Sequence, residues 1–258
     1  GEIFEKKFKA HLRDDNKSLD FKILNTGIDA NFSFNKAEKK YLTSGISKIN
    51  ISNNYLKLNF IVHNDKIEFV KSNLRNKNLL VSFDSLLTFS PYFEISSNIE
   101  INKMNKKLID SLRLEQIIKN QEILKKLNSN NKITYNIKKS RNSLIQKHYT
   151  ELNLAHGRLI FLSKIYILGG IVDCKGDSLV TDDYPRLNFD CTLEIKNKKK
   201  ILKFFSNSKK FDNLPFNLNI IGSLNLINKK VDFEKIEIKD QYIAKEEDII
   251  FFKDTFEK

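Results

Sequence analysis

The sequence predicts a mainly β protein: an extended antiparallel sheet with one apolar face, plus about two amphipathic helices near residues 104–128 and 243–257. The strongest signal is the stretch Phe216-Asn-Leu-Asn-Ile-Ile-Gly-Ser-Leu-Asn-Leu226. Phe216, Leu218, Ile220, Leu224 and Leu226 share one parity with Gly222. Asn217, Asn219, Ser223 and Asn225 share the other, and only Ile221 breaks the pattern. Side chains of a strand alternate between its two faces, so this strand is apolar on one side and polar on the other. The same alternation returns in short runs along most of the chain, as expected of antiparallel β architecture. A period of three to four replaces it in only two stretches.

Taken in order, Leu19, Phe21 and Ile23 alternate, slip at Asn25-Thr26-Gly27, and resume as Ile28, Ala30, Phe32 and Phe34, a bulged strand or a strand pair. Ile49 and Ile51 are joined through Ser52-Asn53-Asn54 to Leu56, Leu58, Phe60 and Val62. Phe69, Val81 with Phe83, Leu87 with Phe89, and Phe93 to Ile101 continue the series, with turns at Asn73–Asn78 and Ser90-Pro91. From Met104 to Leu127, Leu108, Leu112, Ile117, Ile118, Leu124 and Leu127 recur at helical separations with no Gly or Pro between them, and Ser129-Asn130-Asn131 closes the segment. Ile133, Tyr135 and Ile137 restart the sheet, and Lys139–Lys147 reads as a second helical or loop segment. Strands follow at Leu152–Leu154, Leu159–Phe161, Ile165–Ile167, Ile171–Cys174, Leu187–Ile195, Phe216–Leu226 and Val231–Ile238, the last two joined by a turn at Asn228-Lys229-Lys230. Glu246, Glu247 and Asp248 sit where acidic groups favour the start of a terminal helix. The chain thus divides into a β segment at 1–102, a helical insertion at 103–130 and a second β segment with the terminal helix at 131–258, within one continuous β architecture.

The net charge of +13 raises nucleic acid or an anionic surface as a partner. Nearly all of that charge is Lys, however, and the chain is also rich in Asn, Ile and Phe, the residues that AT-rich codons supply. Arginine, whose forked side chain reads bases, is confined to six positions, so no nucleic-acid partner is expected. The longest apolar run, Ile165–Val172, is far shorter than the roughly 20 residues of a spanning helix. A chain that starts at Gly1 reads as a fragment of a longer protein.

No chemical motif emerges. His11, His63, His148 and His156 are scattered, Asp173, Asp177, Asp182 and Asp183 lack the order of a calcium loop, and Gly169-Gly170 precedes a strand rather than a phosphate-binding helix. There is no nucleophile elbow. The expectation is a protein that is not an enzyme, with no catalytic residues, no metal and no cofactor. Lys198-Lys199-Lys200 and Lys209-Lys210 read as solvated loops, with anionic headgroup contact as the functional alternative. Cys174 and Cys191 fall in successive strands, where a disulfide is possible in an oxidising compartment and two buried thiols are the plainer reading.

Gly157-Arg-Leu-Ile-Phe161, Gly222-Ser-Leu-Asn-Leu226 and Val231-Asp-Phe-Glu-Lys-Ile-Glu-Ile238, closed by Asp240, resemble the repeating hairpin of the AsmA-like family, in which a G-x-L-x-L strand precedes a turn and a strand ending in an alternating Ile/Leu pattern. The strands between Phe21 and Phe34 look like the middle region of such proteins from AT-rich alphaproteobacteria. The resemblance implies a periplasmic segment of a protein anchored in the inner membrane through parts outside this chain. It further implies a curved sheet whose apolar concave face holds phospholipid or another acyl-chain ligand, in lipid transport or outer-membrane assembly. Leu159, Phe161, Leu187, Phe189, Phe216, Leu218, Ile220, Leu224 and Leu226 are the groove candidates. A β-rich scaffold of the envelope or secretion machinery, with the same residues closed into an ordinary core, stands as the alternative.

Overall fold

The computed structural model describes residues 1–3, 6–13, 17–35, 42–105, 121–136, 144–197, 200, 216–239 and 241–256. Two compact units emerge, Gly1–Leu112 and Arg113–Lys258. Their division falls inside the expected helical insertion.

In the first unit the strands are β1 (Glu2–Ile3), β2 (Lys6–Arg13), β3 (Ser18–Ile23), β4 (Ile28–Phe34), β5 (Thr43–Ile51), β6 (Asn54–Val62), β7 (Lys66–Arg75), β8 (Leu79–Thr88) and β9 (Glu94–Met104). Each pairs antiparallel with its neighbour in the chain. β1 and β2 were not expected, although Phe8, Ala10 and Leu12 alternate within β2. Asn25-Thr26-Gly27 is a hairpin turn between two strands, with positive φ at Asn25 and Gly27. Ser52 and Asn53 both have positive φ (46° and 73°), the conformation that matches the twist of the strands a two-residue hairpin joins. β7 reaches Arg75, and the turn after it begins only at Asn76. It bulges at Val70-Lys71, where the Asn59 side-chain amide donates to both carbonyl oxygens at 2.9 and 3.0 Å.

The second unit contains α1 (Gln121–Lys126), β10 (Asn128–Asn136), β11 (Ile145–Ala155), β12 (Arg158–Ile167), β13 (Gly170–Leu179), β14 (Arg186–Ile195), β15 (Phe216–Asn225), β16 (Val231–Ile238), β17 (Tyr242–Ile243) and α2 (Glu246–Phe256). Here too every ladder joins chain neighbours antiparallel. The helical stretch expected at 104–128 is described only as α1, its 106–120 portion lying outside the described residues. Ser129-Asn130-Asn131 does not end a helix but sits in β10, held by pairing with Leu154, Asn153 and Leu152. Of the 139–147 segment, 139–143 lies outside the described residues, and Ile145–Lys147 belongs to β11. Leu159–Phe161 and Ile165–Ile167 form one strand, since Ser163 is accommodated without a turn. Of the four aspartates tested as a calcium loop, Asp173 and Asp177 lie in β13, and Asp182 and Asp183 follow it. The terminal helix agrees with expectation, and Asp248 accepts the Lys245 N–H at 2.9 Å across its first turn.

Residues directly opposite in a ladder share a face. In the first unit Ala10, Phe21, Ala30, Ile49, Leu56, Leu74, Val81 and Ile101 form one row across eight strands, apolar throughout. The adjacent row, on the opposite face, runs Lys9, Lys22, Asp29, Asn50, Tyr55, Arg75, Leu80 and Lys103. Each unit is therefore an antiparallel meander with one apolar and one polar face.

Candidate functional site

The apolar face of the second unit is built from the alternation that marks its strands. Leu154, Leu159, Leu187, Leu224 and Val231 occupy one end of it. Leu193, Leu218 and Ile238 are opposite one another nearer the other end, and Ile220 pairs with both Cys191 and Ile236. The register thus brings Leu159, Phe161, Leu187, Phe189, Leu218, Ile220 and Leu224 onto one face, and Leu226 continues it. Phe216 pairs with Ile195 in the same ladder. Asn217, Asn219 and Asn225 pair with Glu194, Thr192 and Arg186 on the other face. Ile221, the residue that breaks the alternation, is opposite Asp190 and Lys235 there. A bulge between Ile221 and Gly222 in the β15–β16 ladder lets Phe233 and Ile236, of opposite parity, both keep the apolar side.

A row of alternating rings and glycines crosses the middle of this face: Phe161, Gly176, Phe189, Gly222 and Phe233 are opposite in turn. Each glycine leaves room for its neighbour's ring. A Cβ on Gly176 would lie 2.5 Å from Phe161 Cε1, and one on Gly222 would lie 2.9 Å from Phe189 Cζ. Phe34, Gly45 and Phe60 repeat the device in the first unit.

Coverage of the apolar face is partial. Among the described residues the buried apolar side chains are Ala30, Leu124, Val180, Pro185, Ile195, Leu226 and Ile236. Most other members of the apolar rows are half-buried. Leu124 of α1 packs with Val180 and Leu226 over Leu154, Leu159, Leu187 and Leu224, so α1 plugs one end. The longer α2 lies elsewhere: Lys253 Nζ reaches Asp232 at 2.6 Å, and Asp232 belongs to the polar face because it opposes Ser223. Arg186, 3.2 Å from the same carboxylate, joins that cluster, and Lys253 foremost holds Asp232 below its ordinary range.

The polar face is satisfied by directly opposed ion pairs, Lys164–Asp173 at 3.3 Å and Lys175–Asp190 at 3.3 Å among them. A shallow depression of about 540 Å³ lies there, bordered by these pairs and by Tyr149. Its charges already have partners and converge on no common point.

The apolar face also carries one polar cluster that alternation alone does not disclose. His148 Nε2 lies 2.7 Å from Thr150 Oγ1 and 2.8 Å from Ser163 Oγ, and the two hydroxyls are 3.4 Å apart. Burial pushes the His148 pKa down. Beside it, Cys174 and Cys191 are directly opposite, with Cα atoms 4.1 Å apart, and are joined as a disulfide rather than held as two thiols. The remaining histidines do not converge: His11 is exposed on β2, His63 contacts Glu68 at 3.1 Å, and His156 forms a turn with Gly157. No group of three potential metal ligands exists among the described residues, and no helix among them is long and apolar enough to cross a membrane. Of the lysine runs, 198–199 and 209–210 lie outside the described residues, and Lys200 is exposed. No protein-family model, curated protein or solved structure matches this chain.

Proposed function

We propose that this chain is a non-enzymatic segment of an AsmA-like envelope protein that carries phospholipid, or another acyl-chain ligand, along the apolar face of its sheet. In this reading the sheet curves so that the apolar face is concave. The parent protein is periplasmic, attached to the inner membrane through parts outside this chain, and serves lipid transport or outer-membrane assembly. The observation that carries the reading is a one-sided apolar face, several strands wide in each unit, whose members are mostly half-buried. A sheet with one apolar face must set it against another layer. The described helices supply only Leu124 and its short turn to that face in the second unit. A flexible hydrocarbon chain provides the missing apolar contact without needing a fixed shape. The disulfide supports an oxidising compartment.

Native mass spectrometry of the purified chain tests this, with co-purified phospholipid as the expected result. Leu218→Asp places a charge in the row Leu193–Leu218–Ile238. On a ligand-lined face the variant stays folded and loses its lipid. Unfolding of this variant, with wild-type protein carrying no lipid, returns the face to a closed core and leaves the scaffold role.

A further inference from the structure

The geometry points to a polar station within the apolar face: His148, Thr150 and Ser163 bind the ester carbonyl of a diacyl glycerolipid whose chains lie on the surrounding aliphatic residues. This rests on the lipid-carrying role proposed above and specifies which part of the ligand is recognised.

Three observations support it. The first is placement. His148 is opposite Tyr135 and Ile165, Thr150 is opposite Ile133, and Ser163 is opposite Cys174, so all three belong to the apolar face. His148 shares its row with Ile165, Val172 and Leu193; the next rows are Ile145, Ile167 and Ile195 on one side and Leu152, Phe161 and Phe189 on the other. The cluster is therefore an island between two stretches of hydrocarbon, as an ester is in a lipid.

The second is charge. The described positions of this face in β10–β16 carry no Lys, Arg, Asp or Glu, and burial disfavours the charged form of His148. A phosphate or carboxylate would find no counter-ion there. An uncharged acceptor matches a face of this kind, since burying an unpaired charge costs far more than burying a dipole that is hydrogen-bonded.

The third is hydrogen-bond capacity. Both hydroxyls lie within hydrogen-bond distance of Nε2. In the tautomer in which Ser163 donates to Nε2, the imidazole proton resides on Nδ1. No partner for Nδ1 exists among the described residues, and His148 is half-buried, so in that tautomer Nδ1–H is available to a ligand on the face. The station requires this tautomer.

Delipidated protein is titrated with an equimolar mixture of dioleoyl phosphatidylglycerol and its dialkyl ether analogue, which has the same headgroup and chains but no carbonyl. The bound species are counted by native mass spectrometry. The wild type is expected to favour the ester about tenfold, the worth of one net hydrogen bond. His148→Phe and Ser163→Ala bring the ratio to about one by weakening ester binding about tenfold. Nitrogen-15 NMR of His148 provides a second reading that does not depend on variants: a protonated Nδ1 whose signal moves with the ester and not with the ether. Equal binding of the two lipids by wild type, or an Nε2–H tautomer, overturns the station and leaves the lipid-carrying role intact. Failure to bind either lipid overturns that role, and the station with it.

Discussion

Gly222 is small because Phe189 occupies the space above it. Adding a methyl there brings Cβ to 2.9 Å from the ring's Cζ and against the Asp232 carbonyl oxygen on the backbone side, where nothing flexible can yield. Gly222→Ala is expected to cost about 1–3 kcal/mol through overpacking, read as a lower urea midpoint at unchanged slope. An unchanged midpoint would show that Phe189 can move aside. His148 raises a different question at the same scale. Its imidazole is held below the ordinary range by burial, so in acid the unfolded chain takes up a proton more readily than the folded one. The stability tied to the neutral ring is complete above about pH 6.5, the unfolded value, and is lost as pH falls through the lower folded one. Melting temperature should therefore drop on acidification from pH 7.5 to 5.5, and drop less in His148→Phe. Parallel profiles for the two proteins would locate the titration elsewhere.

Among the elements, α1 is joined to the sheet through Leu124, which packs with Val180 and Leu226 over Leu154, Leu159, Leu187 and Leu224. Leu124→Ala should cost about 2–3 kcal/mol, visible as a lower midpoint with the β circular-dichroism signal retained. The β13–β14 pair is bound twice, by its ladder and by Cys174–Cys191 across a sequence separation of 17. Reduction, or the double change Cys174→Ser with Cys191→Ser, should lower stability by about 3 kcal/mol through the freed unfolded chain. An unaltered midpoint under reductant would mean that the bond is not formed in solution.

Sequence reading succeeds unevenly at this level, for physical reasons. Strands such as β15 are legible because one face is aliphatic and the other Asn-rich, so parity alone assigns every side chain. β2 is harder to see, since Phe8, Ala10 and Leu12 are too few and too small among Lys and His to stand out. The start of β10 is hidden in Asn128–Asn131, a composition that suits a turn until the β11 partner supplies the missing hydrogen bonds. The groove candidates follow from parity within their own strands. His148, Thr150 and Ser163 do not: they are brought together by the β11–β12 register, and alternation does not encode which residues face each other across strands.

For each unit as a whole, an apolar face with few sealed positions has a measurable signature. Delipidated, fully folded protein should bind the hydrophobic dye ANS while keeping its near-ultraviolet circular dichroism, which separates a native exposed surface from a molten one. Dioleoyl phosphatidylglycerol should displace the dye. Native protein that leaves ANS dark would indicate that the rows are sealed.

Within each unit the neighbour-to-neighbour order of the strands has a consequence for how such a surface changes in length. Adding or removing one hairpin alters the width of a meander by two strand spacings, roughly 10 Å, and leaves the direction of every later strand as it was. Because opposed residues share a face, a hairpin copied with its alternation intact inherits both the oily and the wet side without redesign. The span open to a hydrocarbon chain is thus adjustable in steps of about one hairpin, and gene duplication of some twenty codons suffices for each step.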